Sequence, residues 1–199
     1  MDVVRVTQGL LVADVLDGYR RGLFPMGPPG RKEITWHRPP VRAILPLDAL
    51  HVSRSLARTL NKAAFRVSFD EDFAGVMRGC ADRDSTWITA DVFRVYSELH
   101  RTGIAHSVEV WVDGSLAGGL YGVHLGGAFF AESKFHRVTD MSKVALVSLA
   151  RRLRDHGFAL LEVQYLTAHL AQFGVVEVPD AAYRRMLEAA LATKPGPRF

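Results

Sequence analysis

Cysteine is almost absent from this 199-residue chain, where Cys80 stands alone. No internal disulfide can form, which sets aside the disulfide-framed class of small secreted domains. No apolar run reaches the roughly 20 residues that a membrane-spanning helix needs. The N-terminus lacks the charged and apolar blocks of a signal peptide, so a cytoplasmic protein without membrane attachment is the expectation. The eight histidines include no His-Glu-x-x-His run and no Cys/His pair at zinc spacing, so no metal site is expected. A Gly-x-Ser-x-Gly elbow is missing as well, which leaves a serine nucleophile unsupported. Internal repeats, low-complexity tracts and a heptad seam are lacking, so nothing in the pattern demands a second copy and a monomer is expected.

What is present is a chain that is 48% hydrophobic, enough for a sizeable core. Its net charge of +4 is unevenly placed: residues 1–80 hold 12 Lys/Arg against 8 Asp/Glu, and residues 81–199 hold 13 of each. A basic excess attracts phosphates, although one of this size is also ordinary for a soluble protein.

Residues 1–50 read as a small accessory domain of loops and short strands. Val12–Arg21 has the spacing of a short helix, and the closely spaced prolines and glycines of Phe24–Gly30 predict a loop. Short strands are expected within Arg31–Arg38 and over Val41–Leu45. From residue 51 to 199 the pattern predicts a larger domain. Ser53 should cap a helix over Arg54–Lys62, Phe65–Phe69 should be a strand, and Asp70 should cap the next helix. Thr89 should cap a helix over Ala90–His100. His106–Val112 and Leu116–Leu125 flank Asp113-Gly114, a strong hairpin signal, and Ala128–Ser133 is a third strand. A helix follows, from Thr139 or Asp140 to His156. Val175–Val178 should be a last strand, with Asp180 capping a closing helix to about Leu191.

The stretch of most interest is Phe158–Leu166, an apolar run interrupted by Glu162 and Gln164 and followed by the short turn Thr167–Leu170. Side chains two apart on a strand share a face, so carboxylate and amide should stand side by side. A polar pair in such a strand is costly unless it is hydrogen-bonded or used. Pattern alone fits an exposed strand face equally well. Because a helix joins this strand to Ala128–Ser133, the two should be parallel.

An antiparallel meander followed by a strand–helix–strand unit suits an α+β fold with a mixed sheet, of the N-acetyltransferase (GNAT) type. In such sheets the central parallel strands separate and an acyl donor lies in the gap. The loop before the crossover helix, Ser133–Asp140, contains no glycine to cradle a pyrophosphate, which argues against acetyl-coenzyme A. What remains is Glu132 at one strand end, Glu162 and Gln164 on its neighbour, and the rings of Trp36, His37 and Trp87 in or beside loops. Rings in a basic protein stack nucleobases, the usual way single-stranded RNA ends are held, although each alone is more often core.

From Tyr19 to Tyr183 these residues resemble the leucyl/phenylalanyl-tRNA–protein transferases. The resemblance runs through Tyr19-Arg-Arg-Gly-Leu-Phe-Pro25, Trp36-x-x-Pro39, His51-x-Ser-Arg-Ser55, Thr86-Trp-Ile-Thr89, His106-Ser-Val-Glu-Val-Trp111, Gly118-Gly-Leu-Tyr-Gly-Val123, Glu132-Ser-x-Phe135, Ser142-Lys-Val-Ala-Leu146 and Gln164-x-x-x-x-His169. It implies an enzyme that moves Leu or Phe, and less readily Met, from its tRNA to the N-terminal amine of proteins beginning with Lys or Arg. Such transfer marks them for bacterial N-end-rule degradation and needs no cofactor. The resemblance further implies that the terminal adenosine of the tRNA is sandwiched at Trp87 and at His37, where tryptophan is usual. Leu120 and Phe130 would line the pocket for the aminoacyl side chain. The catalytic pair falls on Glu162, where aspartate is usual, and Gln164, and Glu132 matches a site glutamate. Ala131, Lys134 and Asp180 depart from the usual glycine, methionine and arginine. Two rival readings stand beside this one: another GNAT-type acyltransferase, using acetyl-coenzyme A or serving a cell-wall peptide, and a non-catalytic module that binds tRNA ends.

Overall fold

The structure is a computed structural model and describes residues 3–28, 30–62 and 64–196. It opens with a strand that the sequence pattern did not announce. β1 (Val3–Gln8) leads into helix α1 (Val12–Arg20), strand β2 (Phe24–Met26) and strand β3 (Glu33–His37), and β3 pairs antiparallel with both other strands. β1 escapes a pattern search because Val3, Val4 and Val6 are all exposed, so no alternation toward a core marks it. β2 corrects the expected loop. It is the edge strand of the order β1-β3-β2, where a proline is tolerated because one row of N–H groups has no ladder partner to lose.

Pro39-Pro40 ends β3, and the chain crosses to a seven-stranded sheet with β4 (Val41–Ile44). This strand lies before residue 50 yet hydrogen-bonds with the larger sheet. The chain continues through α2 (Arg54–Lys62), β5 (Arg66–Phe69) and α3 (Phe73–Ala81). Ser53 Oγ accepts the Leu56 N–H at 3.3 Å, the expected cap of α2. The cap of α3 is Asp72, which accepts the Gly75 N–H at 2.8 Å, and not Asp70. Asp70 instead turns the backbone at φ 59°, and its carboxylate accepts the Ser107 N–H at 2.9 Å. α4 (Ala90–Arg101) is capped by Thr89 as expected.

The meander follows as β6 (Ala105–Val112), β7 (Ser115–Leu125) and β8 (Ala128–His136). Asp113 and Gly114 both take positive φ, 48° and 75°, as a type I′ hairpin requires. Helix α5 (Met141–Asp155) then leads to β9 (Leu160–Glu162), followed by α6 (Ala168–Ala171), β10 (Val176–Pro179) and α7 (Asp180–Ala192). α7 begins at Asp180 itself with Pro179 at the cap position, and Asp180 forms an i,i+4 ion pair with Arg184 at 3.1 Å. The sheet order is β10-β4-β9-β8-β7-β6-β5, antiparallel throughout except for β8 beside β9. This is the α+β arrangement with a mixed sheet that the element order predicted. One face packs on α1, α3, α4 and α7, through Tyr19, Val76, Tyr96 and Tyr183. The other packs on α2 and α5, through Leu56, Val144, Leu149 and Leu161.

Two local irregularities shape the middle of the sheet. β8 and β9 pair only over Ala128–Leu160, Phe129–Leu161 and Phe130–Glu162; then β9 ends while β8 runs on to His136. In the same place β8 carries a bulge against β7. Gly122 faces Ala131 and Tyr121 faces Ser133, which leaves Glu132 as the extra residue. A bulge interrupts alternation and re-aims side chains. Gly122 is required opposite it, because a Cβ there would run into the Phe130 carbonyl oxygen and the Phe129 ring. We expect Gly122→Ala to destabilise the fold by about 2 kcal/mol or more, measured as a lowered midpoint in urea unfolding. A midpoint equal to wild type would show that the bulge has room to give.

Candidate active site

The site is assembled at the point where β9 stops. Leu160 and Leu161 are buried, as expected of a central strand, and Glu162 is buried with them at 1% exposure. Its partner is Arg42 of β4, whose Nη1 donates to Glu162 Oε1 at 3.2 Å. Both side chains are 1% exposed. Arg42 also donates to the Gly22 carbonyl oxygen and lies between the rings of Phe24 and Tyr183, 5.0 and 4.6 Å from their centroids. Burial raises the Glu162 carboxyl above the ordinary range, while Arg42 and the Gln164 N–H pull it back. The expectation that Glu162 and Gln164 share a strand face is therefore corrected. The strand ends at Glu162, and the carboxylate turns back to accept the backbone N–H of Gln164 at 2.9 Å.

Gln164 sits in the left-handed region at φ 62°. A glutamine in that conformation costs roughly 1 kcal/mol and persists because its surroundings dictate it. Here its N–H goes to Glu162, and its carbonyl accepts the Ala43 N–H at 3.1 Å. The side-chain amide is thereby aimed at β8, where Nε2 donates to Glu132 Oε2 at 3.3 Å.

Glu132 is the bulged residue, 7% exposed. Burial pushes its carboxyl up to about 8; the Tyr19 hydroxyl, Arg42 and the Gln164 amide act in the other direction, and Glu162 adds to the rise. The hydroxyls of Tyr19 and Tyr96 beside it are 2.6 Å apart. Burial together with the negative charge of Glu132 raises both phenols, and Tyr121 with them.

A cleft of about 540 Å³ opens where β8 and β9 part. Of the residues expected at the site, Trp87, Leu120, Glu132 and Gln164 line it together. Glu162 does not; it acts on the cleft through Gln164. Trp36, His37 and Phe130 are also absent from the lining. Trp36 is wholly buried, donates from Nε1 to Thr7 Oγ1 at 3.1 Å and packs on Gly18, so it has no face left for a base. His37 is stacked on Phe24 and bonded to Thr35 Oγ1 at 2.8 Å, and burial lowers its pKa. Phe130 packs on Tyr19, ring centroids 4.6 Å apart. The aromatic that shares the cleft with Trp87 is Tyr165, which sits edge-on to Phe24. Tyr165, in the cleft lining, and Arg42, the partner of Glu162, are the residues of this site that the sequence reading passed over. Arg42 carried a signal, as the one charged residue in Val41–Ile44; Tyr165 carried none, since it continues an apolar run. Among the described residues no group of three His, Cys, Asp or Glu is placed to hold a metal ion, and no helix is long and apolar enough to cross a membrane.

A family model described as leucyl/phenylalanyl-tRNA protein transferase matches residues 44–188. A protein with that description from Salinibacter ruber is 52% identical over 181 residues, 91% of this chain and 80% of its own. Another from Rubrobacter xylanophilus is 52% identical over 189 residues, 94% of this chain and 96% of its own. Among solved structures, FemX superposes with a TM-score of 0.54 at 13% identity, covering 72% of this chain and 60% of its own. A ribosomal-protein-alanine N-acetyltransferase from Brucella melitensis biovar Abortus 2308 gives a TM-score of 0.41 at 14% identity, covering 55% and 85%. These structural likenesses concern the fold alone.

Two outcomes follow from the buried charges. Unfolded, Glu132 titrates near the ordinary 4.5; folded, near about 8. Between those values the folded protein holds a proton that the unfolded chain has released. The stabilising contribution is therefore full below the lower value and is lost as pH rises through the higher one. Unfolding free energies measured from pH 5 to 8 should fall less steeply in Glu132→Gln than in wild type, by about 1–3 kcal/mol across the range. Parallel curves would place the ionisation elsewhere. Arg42→Met, which leaves Glu162 buried without its cation, should cost about 3–5 kcal/mol in denaturant unfolding, and the Arg42→Met/Glu162→Met pair should cost less than the single change.

Proposed function

The chain belongs to the leucyl/phenylalanyl-tRNA protein transferase family and is an aminoacyltransferase, and we propose that it moves Leu or Phe, less readily Met, from aminoacyl-tRNA to the N-terminal amine of proteins beginning with Lys or Arg. In this reading it works as a monomer in the cytoplasm, needs no cofactor, and marks its acceptors for degradation by the N-end rule.

The observation that carries the reading is Gln164 lining the cleft, its backbone N–H held by Glu162 and its side-chain amide by Glu132. An aminoacyl ester is already activated, and an α-amine has a reference pKa of roughly 7.7–8.0, so part of it is nucleophilic at neutral pH. The enzyme has mainly to align amine and carbonyl. With Nε2 committed to Glu132, the Oε1 of Gln164 is the atom that accepts a hydrogen bond from the attacking amine. The amine nitrogen bonds to the ester carbonyl carbon, the bond to the ribose oxygen breaks, and the amine proton leaves with that hydroxyl. Glu162 is a positioning residue, acting through the Gln164 backbone.

Glu132 lines the cleft and is the carboxyl best placed to attract the cationic acceptor. An approaching Lys or Arg favours its ionised form, which offsets the cost of burial. Trp87 supplies a face for the terminal adenosine, and Tyr165 takes the place beside it expected of His37. Leu120 belongs to the wall that receives the aminoacyl side chain. Phe130 packs on Tyr19 and does not line the cleft.

The test is transfer of labelled Leu, Phe and Met from charged tRNA to peptides beginning with Arg, Lys, Asp or Glu. Arg and Lys acceptors with Leu and Phe donors should react fastest. Gln164→Ala should lower kcat by about 100-fold or more, with donor affinity within about twofold of wild type. A wild-type kcat in that variant would remove Gln164 from the reaction, and acetylation from acetyl-coenzyme A without aminoacyl transfer would overturn the whole reading.

A further inference from the structure

One wall of the cleft is unlike the rest. Lys134 stands on β8 directly opposite Leu120 of β7, and both line the cleft. Arg83 lies beside it, donating from Nη2 to the carbonyl oxygen of Lys134 itself at 2.7 Å and to Ser133 Oγ at 3.2 Å. Neither cation has a carboxylate partner among the described residues. Glu132 is only two residues away along β8, but its carboxyl is taken by the Gln164 amide at 3.3 Å and by the Tyr19 hydroxyl. Asp140 is taken by Lys143 at 2.9 Å. His136 and His169 complete this side of the cleft and add further basic nitrogens.

A half-buried ammonium next to a guanidinium is costly unless something negative arrives. The strain shows in the titration of the lysine, which burial and then Arg83 push below the ordinary value. His169 is pushed down in the same way, by burial and then by Lys134. An anion in the cleft offsets that cost.

We propose that Arg83 and Lys134 form a phosphate site that holds the 5′-phosphate of the terminal nucleotide of the donor. The proposal rests on the reading of the cleft as an aminoacyl-tRNA site and extends it to a contact that reading does not use. Arg83 and Trp87 line the same cleft from one loop, four positions apart. A base stacked on Trp87 therefore carries its phosphate within reach of the pair, while the 3′ ester points toward Gln164. Charged donors paired with a phosphate oxygen make the stronger class of hydrogen bond, and two cations give a fork that a single one does not.

Binding of two stable donor analogues tests this without requiring turnover. One is 3′-phenylalanylamino-adenosine, with an amide in place of the ester; the other is the same molecule with a 5′-phosphate. Calorimetry on wild type should give a dissociation constant about tenfold lower for the phosphorylated form. That ratio should shrink as salt is raised. It should fall to about threefold in Lys134→Met and approach one in Arg83→Ala/Lys134→Met. Because each ratio is taken within one protein, a variant's loss of stability does not enter it. A ratio of one in wild type, or a tenfold ratio that survives the double change, would overturn the proposal. The transfer assay with charged tRNA fails or succeeds separately, so loss of the activity reading and loss of the phosphate site are distinguishable.

Discussion

The buried pair of Arg42 and Glu162 is the constraint on which the rest of the site depends. Its two members come from strands 120 positions apart in sequence. Each needs the other, since a lone charge at that depth would be far more costly than the pair. Arg42 at the same time takes the carbonyl of Gly22, a face of Phe24 and a face of Tyr183. It thus ties the small N-terminal sheet and the last helix to the strand that ends in the site. Glu162, fixed from below, holds the Gln164 N–H and with it a backbone conformation that glutamine would not otherwise keep.

Two departures from regular pairing turn that anchor into a cleft. β9 stops after three paired residues, so β8 continues without a neighbour on that side. The bulge at Glu132 reverses which face the following residues address. β8 thereby offers a carboxyl among tyrosines and, two residues on, an ammonium beside Arg83. Acid and base stay apart although two residues separate them along the chain. A regular strand would have placed them on one face, where they would have neutralised each other.

Much of this was legible beforehand. The helix over Arg54–Lys62, the one read over Ala90–His100 that ends one residue later, their Ser53 and Thr89 caps, the Asp113-Gly114 hairpin and the parallel pairing across α5 all followed from local pattern. The places where reading failed share a cause, which is dependence on partners distant in sequence. Nothing near Glu162 reveals that its strand ends there, because the ending is set by Arg42 and by the divergence of β8. Trp36 and His37 looked like loop rings because the strand holding them borders prolines, yet β1 and α1 cover Trp36 while Phe24 takes the face of His37. Asp70 and Asp72 are both plausible caps locally, and only the Ser107 N–H, from a strand far along the chain, decides between them.

The tyrosines of this chain number five, and all of them feel one of the two site carboxyls. Tyr19, Tyr96 and Tyr121 respond to Glu132, Tyr165 to Glu162, and Tyr183 to both. Phenol resonances and near-ultraviolet phenol bands are therefore a built-in gauge of the electric field around Glu132 and Glu162, with no bystander chromophore of the same kind to dilute the signal. Labelling tyrosine alone would let the charge state of these two carboxyls be followed in the unmodified protein.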